Sequence, residues 1–416
     1  MSVEPSDTSG TRRWIVCLLS GATLAGLTGV VYSFGVFFTP LQETFGVSSD
    51  RVSLIFSLNT LLTYVVGIYV GYLADRHPAH RLLLAGMACW TGGLVLTALW
   101  GSYLGVLLAF GLFVALGMGI PYITLYATVA RWFDRRRGLA LSVLSVGFGT
   151  GGLVGPPVTE ALLSRFDWGT TFLVLAVPTT ALVLLTTLAV FITRTDRRRM
   201  DGDTITTEDG DANSNTGESA DGPGLRSLLA VFTAPRVLLV TAGFVFGFYA
   251  FYALLVHFVP YAESVGVSRR TAAIALGLIG GASIPARLLA GHVSDLYGRI
   301  PVLLIGFVLM TTATLGLIVW TTATWFLVLA VVFGAGNGAV AALYSPIVVE
   351  IFDLGTVGTM LGVTSVSFGI AGVLGPYATG VLVAATGTYA VALVLAAAML
   401  VLGSACIVLA SSVRFN

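Results

Sequence analysis

Twelve long apolar stretches constrain the fold of this chain more than any other feature. Crossing a bilayer takes about 20 apolar residues in a helix, whereas a barrel strand needs about ten in an alternating pattern. These runs are too long and too evenly apolar for barrel strands. With 56% hydrophobic and 10% charged residues, no soluble core could enclose so much apolar surface. The sequence predicts an all-α integral membrane protein with spans near 14–39, 50–74, 81–100, 104–130, 136–160, 168–193, 236–262, 269–294, 300–321, 325–350, 357–382 and 386–411.

The arginines indicate how the spans are oriented. All 21 basic residues are Arg, and with both termini in the cytoplasm 16 of them fall in inner loops and tails. Four fall outside, and Arg287 lies within a span. Basic residues accumulate in cytoplasmic loops, so we expect a multi-pass protein of the cytoplasmic (plasma) membrane, in contact with lipid, with both ends inside. The formal net charge of +1 gives no reason to expect a nucleic-acid partner.

An internal repeat divides the chain into two halves. SVGFGTGGLVGP at 145–156 returns as SVSFGIAGVLGP at 365–376, and GYLADR at 71–76 returns as GHVSDL at 291–296, both with an offset of 220 residues. Six spans were therefore duplicated in one orientation, and in such parallel repeats the ligand site lies between the halves. A polar segment rich in Gly, Ser and Thr separates them. The predicted units are an N-terminal six-helix half (1–193), a flexible cytoplasmic linker (194–235) and a C-terminal six-helix half (236–416).

GYLADRHPAHR and GHVSDLYGR resemble the cytoplasmic loop motif of the major facilitator superfamily. The resemblance implies that family's fold of twelve transmembrane helices in two parallel-repeat halves. In the family, the motif's Gly allows close helix packing and its Asp engages a neighbouring Arg and a helix N-terminus. The first copy departs from the motif, because His77 and Pro78 stand where the family usually has Gly. The implied gating residues are Gly71, Asp75, Arg76, Gly291, Asp295 and Arg299.

Four further stretches resemble the monocarboxylate transporter and oxalate/formate antiporter branch of that superfamily: YSFGVFFTPLQETFGVS (32–48), RWFDRRRGLALSVLSVGFGTG (131–151), HFVPYAESVGVS (257–268) and ARLLAGHVSD (286–295). The resemblance implies that Arg287, in the eighth span, binds a substrate carboxylate. Two departures matter, because Ser283 replaces an Asp common in animal monocarboxylate transporters and Tyr32 aligns with their first-span Lys. The eleventh span also lacks the second cation of oxalate carriers, which favours a substrate with one carboxylate.

Arg287 is a permanent charge inside the eighth span. It lies eight residues before Asp295, roughly 12 Å along a helix, and a guanidinium does not lose its proton there. The acidic residues of the spans lie at predicted helix ends: Glu160, Glu263 and Glu350. A substrate carboxylate is therefore the expected counter-ion, since it matches the guanidinium with two parallel hydrogen bonds. The alternative is a structural Arg287 bonded to carbonyls that Pro260 or Pro285 frees.

Polar side chains on other spans complete the predicted substrate site: Tyr32, Tyr122, Tyr126, His257, Asn337 and Tyr344. Tyr126 and Tyr344 hold nearly corresponding places in the two halves, so we expect them to face each other. His257 titrates near neutral pH when unperturbed, and it is a candidate both for carrying a symported proton and for donating a neutral hydrogen bond to substrate. For each Tyr, interhelical packing is an equally good explanation.

These features predict a secondary active transporter that moves a small monocarboxylate, such as lactate or pyruvate, by alternating access. Proton symport is preferred, while anion exchange and uniport stay open. Two other functions stay open as well: an oxalate/formate-type exchanger, and a carboxylate receptor that binds without transporting. An enzyme is not expected, because the sequence has no metal-ligand cluster, nucleotide motif or Ser/His/Asp set. No metal, cofactor or obligate protein partner is implied. A sugar carrier would show more Gln, Asn and Trp, and a cationic-drug exporter a buried acid.

Overall fold

The computed structural model of the chain describes residues 8–133, 136–203, 235–351 and 357–412. Within these ranges lie twelve helices that are long and apolar enough to cross a membrane, which confirms the predicted number. They are α1 (Thr8–Tyr32 and Phe34–Phe45), α2 (Ser49–Arg76), α3 (Ala79–Leu99), α4 (Tyr103–Trp132), α5 (Arg137–Leu163), α6 (Trp168–Asp203), α7 (Pro235–Ser264), α8 (Arg269–Tyr297), α9 (Arg299–Val319), α10 (Ala323–Ile351), α11 (Val357–Thr386) and α12 (Ala390–Ser412). Helix α6 continues past the predicted boundary at 193, and residues 204–234 of the predicted linker lie outside the described residues.

Helix α1 is broken at Ser33, which separates its two segments. The Ser33 hydroxyl donates to the Gly29 carbonyl at 2.5 Å, and a serine bonded to the preceding turn in this way bends a helix. The second segment contains Pro40, which cannot donate a backbone hydrogen bond. The bend lies directly after Tyr32, and it leaves this side chain on the wall of the central cavity.

Helix α4 contains a π-helical turn at Ala109–Val114. Such a turn disturbs the regular ladder of backbone hydrogen bonds. In hydrocarbon an unpaired carbonyl costs several kcal/mol, so a side chain or another helix must satisfy it. Asn59 of α2, which is buried, donates from Nδ2 to the Phe110 carbonyl at 2.8 Å. The bond satisfies the irregular backbone and fixes α4 against α2.

The two copies of the glycine-rich repeat pack through equivalent positions. A Cβ atom placed on Gly152 of α5 would lie 3.2 Å from the Gly280 Cα of α8. At the corresponding place 220 residues along, a Cβ on Gly372 of α11 would lie 2.8 Å from the Thr60 Cβ of α2. Thr60 and Gly280 are themselves related by the same offset. One contact therefore occurs twice between the halves, as expected for a parallel repeat.

The two halves meet along two main seams, α2 with α11 and α5 with α8, and the second segment of α1 also contacts α7. We call the end at which α2 and α8 finish the basic end, and the opposite one the far end. Towards the far end the halves approach within backbone contact. A Cβ on Gly380 would lie 2.5 Å from Ser53 Oγ, and one on Gly35 would lie 2.6 Å from the Leu255 carbonyl oxygen. Helix backbones and small side chains therefore close the far end.

Candidate functional site

A central cavity of about 670 Å³ lies between the halves. Its wall is built from α1, α2, α4, α5, α7, α8, α10 and α11. The lining extends from Pro156 and Leu276, beside the glycine contact, to Gly71 and Ser345 near the helix ends. Because the contacts of Gly35 and Gly380 close the far side of this space, the cavity opens towards the basic end.

Arg287 is half-buried and lines this cavity. Its Nη1 donates to Ser145 Oγ at 2.8 Å, across the seam from α8 to α5. Its Nε is buried and has no hydrogen-bond partner among the described residues. Of the cavity-lining side chains that the structure describes, this is the only charged one. The bond goes to a hydroxyl rather than to a carbonyl freed by a proline, as the structural alternative would require.

Sequence reasoning missed Ser145 as a partner of Arg287. Ser145 is the first residue of the repeated stretch at 145–156. Because that stretch is rich in glycine, it was interpreted as a helix-packing motif. One indication was available, since a Ser in an apolar span needs a hydrogen-bond partner.

Three of the predicted tyrosines surround Arg287. Tyr32, Tyr122 and Tyr126 all line the cavity and lie near enough to interact with the guanidinium electrostatically. Tyr122 and Tyr126 are four residues apart, and therefore on one face of α4. Their ring centroids are 5.1 Å apart, and the ring of Tyr122 is 5.4 Å from that of Phe148. The arrangement presents phenol groups and ring edges beside one cation.

Two predicted residues of α10, which packs against α8, also line the cavity. Asn337 is 5% exposed, and its Oδ1 has no hydrogen-bond partner among the described residues. Tyr344 lines the cavity with its ring 4.8 Å from that of Phe244 and 5.0 Å from that of Phe368. The structure thus brings six of the seven predicted substrate-site residues to one cavity.

His257 is the exception, because the structure places it outside the cavity. Its Nε2 lies 3.0 Å from Ser53 Oγ and 3.0 Å from the Pro376 carbonyl, and only 2% of the residue is exposed. The prediction that it lines the substrate site is wrong for this conformation. Helix α7 turns a different face to the cavity, the one carrying Phe251 and Leu255. Helix α7 carries apolar, buried residues on nearly all of its faces, so its sequence does not indicate which face lines the cavity.

The sequence model of the Major Facilitator Superfamily matches residues 18–295 and 257–414. The chain belongs to this superfamily. It is 26% identical over 374 residues to the MFS transporter asaE of Aspergillus flavus, covering 89% of this chain and 79% of that protein. It is 25% identical over 386 residues to the agnestins efflux protein AgnL12 of Paecilomyces divaricatus (91% and 83% covered), and 27% identical over 366 residues to the riboflavin transporter MCH5 of Saccharomyces cerevisiae (82% and 66%).

A solved structure has the same fold. A bacterial homolog of the human lysosomal transporter Spinster, in an inward-facing and unoccupied conformation, superposes with a TM-score of 0.76 at 18% identity, covering 96% of this chain and 97% of that one. The chain is therefore a multi-pass membrane transporter of the major facilitator superfamily. The comparisons do not single out the monocarboxylate or oxalate/formate branch.

The first superfamily loop motif is open in this conformation. A Cβ on Gly71 or on Gly291 of the second copy would meet nothing within 4 Å, so the close packing implied by the resemblance is not made here. The Arg76 guanidinium lies 3.8 Å above the Tyr72 ring. The side chain of Asp75 lies outside the described residues.

The second loop motif joins the basic ends of α9 and α10. Arg299 donates from Nη1 to the Pro346 carbonyl at 2.6 Å, and its Nε lies 3.6 Å from Glu350 Oε2. Asp295 is exposed. These contacts stay within the C-terminal half, which agrees with a basic end where the halves are apart.

Proposed function

We propose that this superfamily transporter carries an organic anion with a single carboxylate, which pairs with Arg287 in the central cavity. One observation carries the proposal: the only charged side chain among the described lining residues is a cation, and its buried Nε has no partner. A desolvated guanidinium is costly without a counter-charge. A carboxylate supplies two parallel acceptors that match its geometry.

Neutral groups around Arg287 would complete the binding of the anion. Ser145 occupies one guanidinium nitrogen, and the carboxylate takes the remaining donors. Tyr32, Tyr122 and Tyr126 offer phenol groups on the same part of the wall. Together these groups stabilise one negative charge and leave a second one without compensation.

Alternating access follows from the way the two halves meet. The far end is closed by backbone contacts and the cavity is open towards the basic end. Transport requires the far-end contacts to open while the basic end closes over the substrate. The Arg287–Ser145 bond crosses between the halves, so an anion that engages Arg287 acts directly on an inter-half contact. If the basic end is cytoplasmic, this conformation faces inward.

Two modes of coupling are proposed for the transport of this anion. Proton-coupled uptake of a lactate-like acid is the first candidate, and anion exchange of the oxalate/formate type is the second. Relatives named for riboflavin transport and for agnestins efflux support an organic substrate, and they leave both directions open. A carboxylate receptor would bind the same anions without moving them.

Uptake into proteoliposomes tests the proposal. Labelled formate, lactate, oxalate and benzoate are offered with and without an inward proton gradient, to wild type, Arg287→Gln and the control Arg81→Gln, an exposed arginine in the first turn of α3. Losing charge-assisted hydrogen bonds worth about 1.5–3 kcal/mol should lower carboxylate uptake at least about tenfold in Arg287→Gln and leave the control unchanged. If no carboxylate moves, or Arg287→Gln transports as well as wild type, the pairing argument fails. Binding without uptake would identify a receptor.

A further inference from the structure

The cavity is much larger than a lactate-sized acid requires. Its volume of about 670 Å³ falls within the range of about 300–1,000 Å³ that is typical of pockets enclosing drug-sized ligands. A one- to three-carbon acid held at Arg287 would leave most of this space to water. The size of the cavity therefore favours an anion with a substantial organic body.

Aromatic rings form one wall beside the cation. This first wall consists of Tyr122, Tyr126 and Phe148, which meet edge to face with ring centroids 5.1 and 5.4 Å apart. Both tyrosines line the same cavity as Arg287. A carboxylate on Arg287 thus places the atoms attached to it directly against aromatic surface.

A second aromatic wall stands on the other half of the cavity lining. It consists of Phe248, Tyr344, Phe368 and, from the N-terminal half, Tyr64. Centroid distances are 4.3 Å from Phe248 to Phe368, 5.0 Å from Tyr344 to Phe368 and 5.5 Å from Tyr64 to Phe368. The Tyr64 hydroxyl already bonds Tyr252 at 3.0 Å, so Tyr64 offers its ring rather than its hydroxyl. An aromatic ring of the substrate could pack on this wall in the offset or edge-to-face geometry that aromatic pairs prefer.

Charge on the lining limits what the organic body can carry. Beyond Arg287, the lining side chains that the structure describes are neutral. A second carboxylate or a cationic group would be desolvated without an opposite charge. The body of the ligand must therefore be uncharged, with at most a few polar atoms for groups such as Asn337, whose buried Oδ1 has no partner.

We infer that the substrate is an aromatic monocarboxylate, with its carboxylate on Arg287 and an uncharged planar ring system between the two aromatic walls. The inference rests on the proposed function, because it assumes the pairing with Arg287. It narrows the substrate class from organic anions with one carboxylate to acids whose ring system contributes most of the contact. Affinity then rises with ring area at constant charge, and it falls when a wall is removed.

A ligand series separates ring recognition from charge recognition. Binding and uptake are measured at neutral pH for acetate, benzoate, 1-naphthoate, naphthalene-1,4-dicarboxylate and the neutral 1-naphthamide. Protein-free liposomes give the passive background. Variants are Phe368→Leu in the second wall, Arg287→Gln, and Phe166→Leu as a control, because Phe166 is exposed and does not line the cavity.

The expected result is an affinity at least about tenfold higher for 1-naphthoate than for acetate. Phe368→Leu reduces that preference several-fold, Phe166→Leu leaves it intact, and the amide and the dicarboxylate bind weakly. If acetate is transported and 1-naphthoate binds no better, or if Phe368→Leu does not alter the preference, the inference is wrong and the proposed function stands. If Arg287→Gln has no effect and the amide equals the acid, the proposed function itself fails.

Discussion

The glycine contact between α5 and α8 gives a quantitative prediction about the conformational equilibrium. In this conformation a Cβ on Gly280 would lie 2.6 Å from the carbonyl carbon of Gly152 and 2.7 Å from the backbone nitrogen of Leu153. Both neighbours are main-chain atoms, so no side-chain rotation can relieve the overlap. Gly280→Ala therefore forces the two helices apart where the closed far end begins.

The expected size of the effect follows from the overlap. Overpacking of this kind costs about 1–3 kcal/mol. The cost falls on the conformation in which the far end is closed, because opening that end separates α5 from α8. Such a difference shifts a two-state equilibrium by about 5- to 150-fold. Gly280→Ala should therefore populate the conformation with an open far end.

Pulsed electron paramagnetic resonance measures this shift directly. Spin labels on Arg165→Cys and Arg270→Cys, both exposed at the far end, report the separation of the halves. The control is Gly92→Ala, because a Cβ there meets nothing within 4 Å. Longer distances should gain population in Gly280→Ala and not in the control. The background carries replacements of the three native cysteines, Cys17, Cys89 and Cys406.

One outcome would refute the reasoning. If Gly280→Ala folds with a melting temperature near that of the control and keeps the wild-type distance distribution, the far end closes without this contact. A lower melting temperature alone is not a confirmation, since the prediction concerns the population of longer distances in folded protein.

Two further predictions concern other contacts of the bundle. His257→Ala removes the bonds to Ser53 and to the Pro376 carbonyl and should weaken far-end closure by about 1–3 kcal/mol, because buried polar groups lose their partner. His257→Gln keeps a donor and should weaken the closure less. Equal spin-label distances in wild type and His257→Ala would contradict this prediction. The Asp167 carboxylate accepts hydrogen bonds from the Thr170 hydroxyl at 2.6 Å and from the Thr170 backbone nitrogen at 3.0 Å. These bonds lower the pKa of the carboxyl below its ordinary value. Their stabilisation of the folded protein is present at neutral pH and is lost as the pH falls through the lowered pKa. Melting of Asp167→Ala should show a cost of about 0.5–2 kcal/mol at neutral pH that shrinks in acid, and a constant difference would argue against the cap.

The number of spans and the repeat could be predicted from the sequence because the bilayer imposes them. A helix must pair all its backbone groups and reach across a fixed thickness, and both requirements appear as long apolar runs. The depth of a residue along its helix can also be predicted, since each residue adds a fixed rise. The depth of Arg287 and Tyr126 within their spans could therefore be predicted, and both residues line the cavity.

Rotation about the helix axis could not be predicted in the same way. Helix α7 is buried on nearly every side, so periodicity did not distinguish the face of His257 from the face of Phe251. The π-helical turn in α4 depends on a bond from Asn59 to the Phe110 carbonyl, a contact between residues far apart in sequence. Features that tertiary contacts stabilise leave no local signal.

Arg287, the one charged side chain among the described lining residues, also makes the protein responsive to voltage. One elementary charge crossing the full membrane potential changes its energy by about 2.3 kcal/mol per 100 mV, and Arg287 experiences a part of that field which differs between the two conformations. With the basic end in the cytoplasm, as the arginine distribution predicts, an inside-negative potential retains the empty carrier with its site facing the cytosol. The proposed anion would cancel this charge, so the loaded step would be electrically silent while the empty return works against the field.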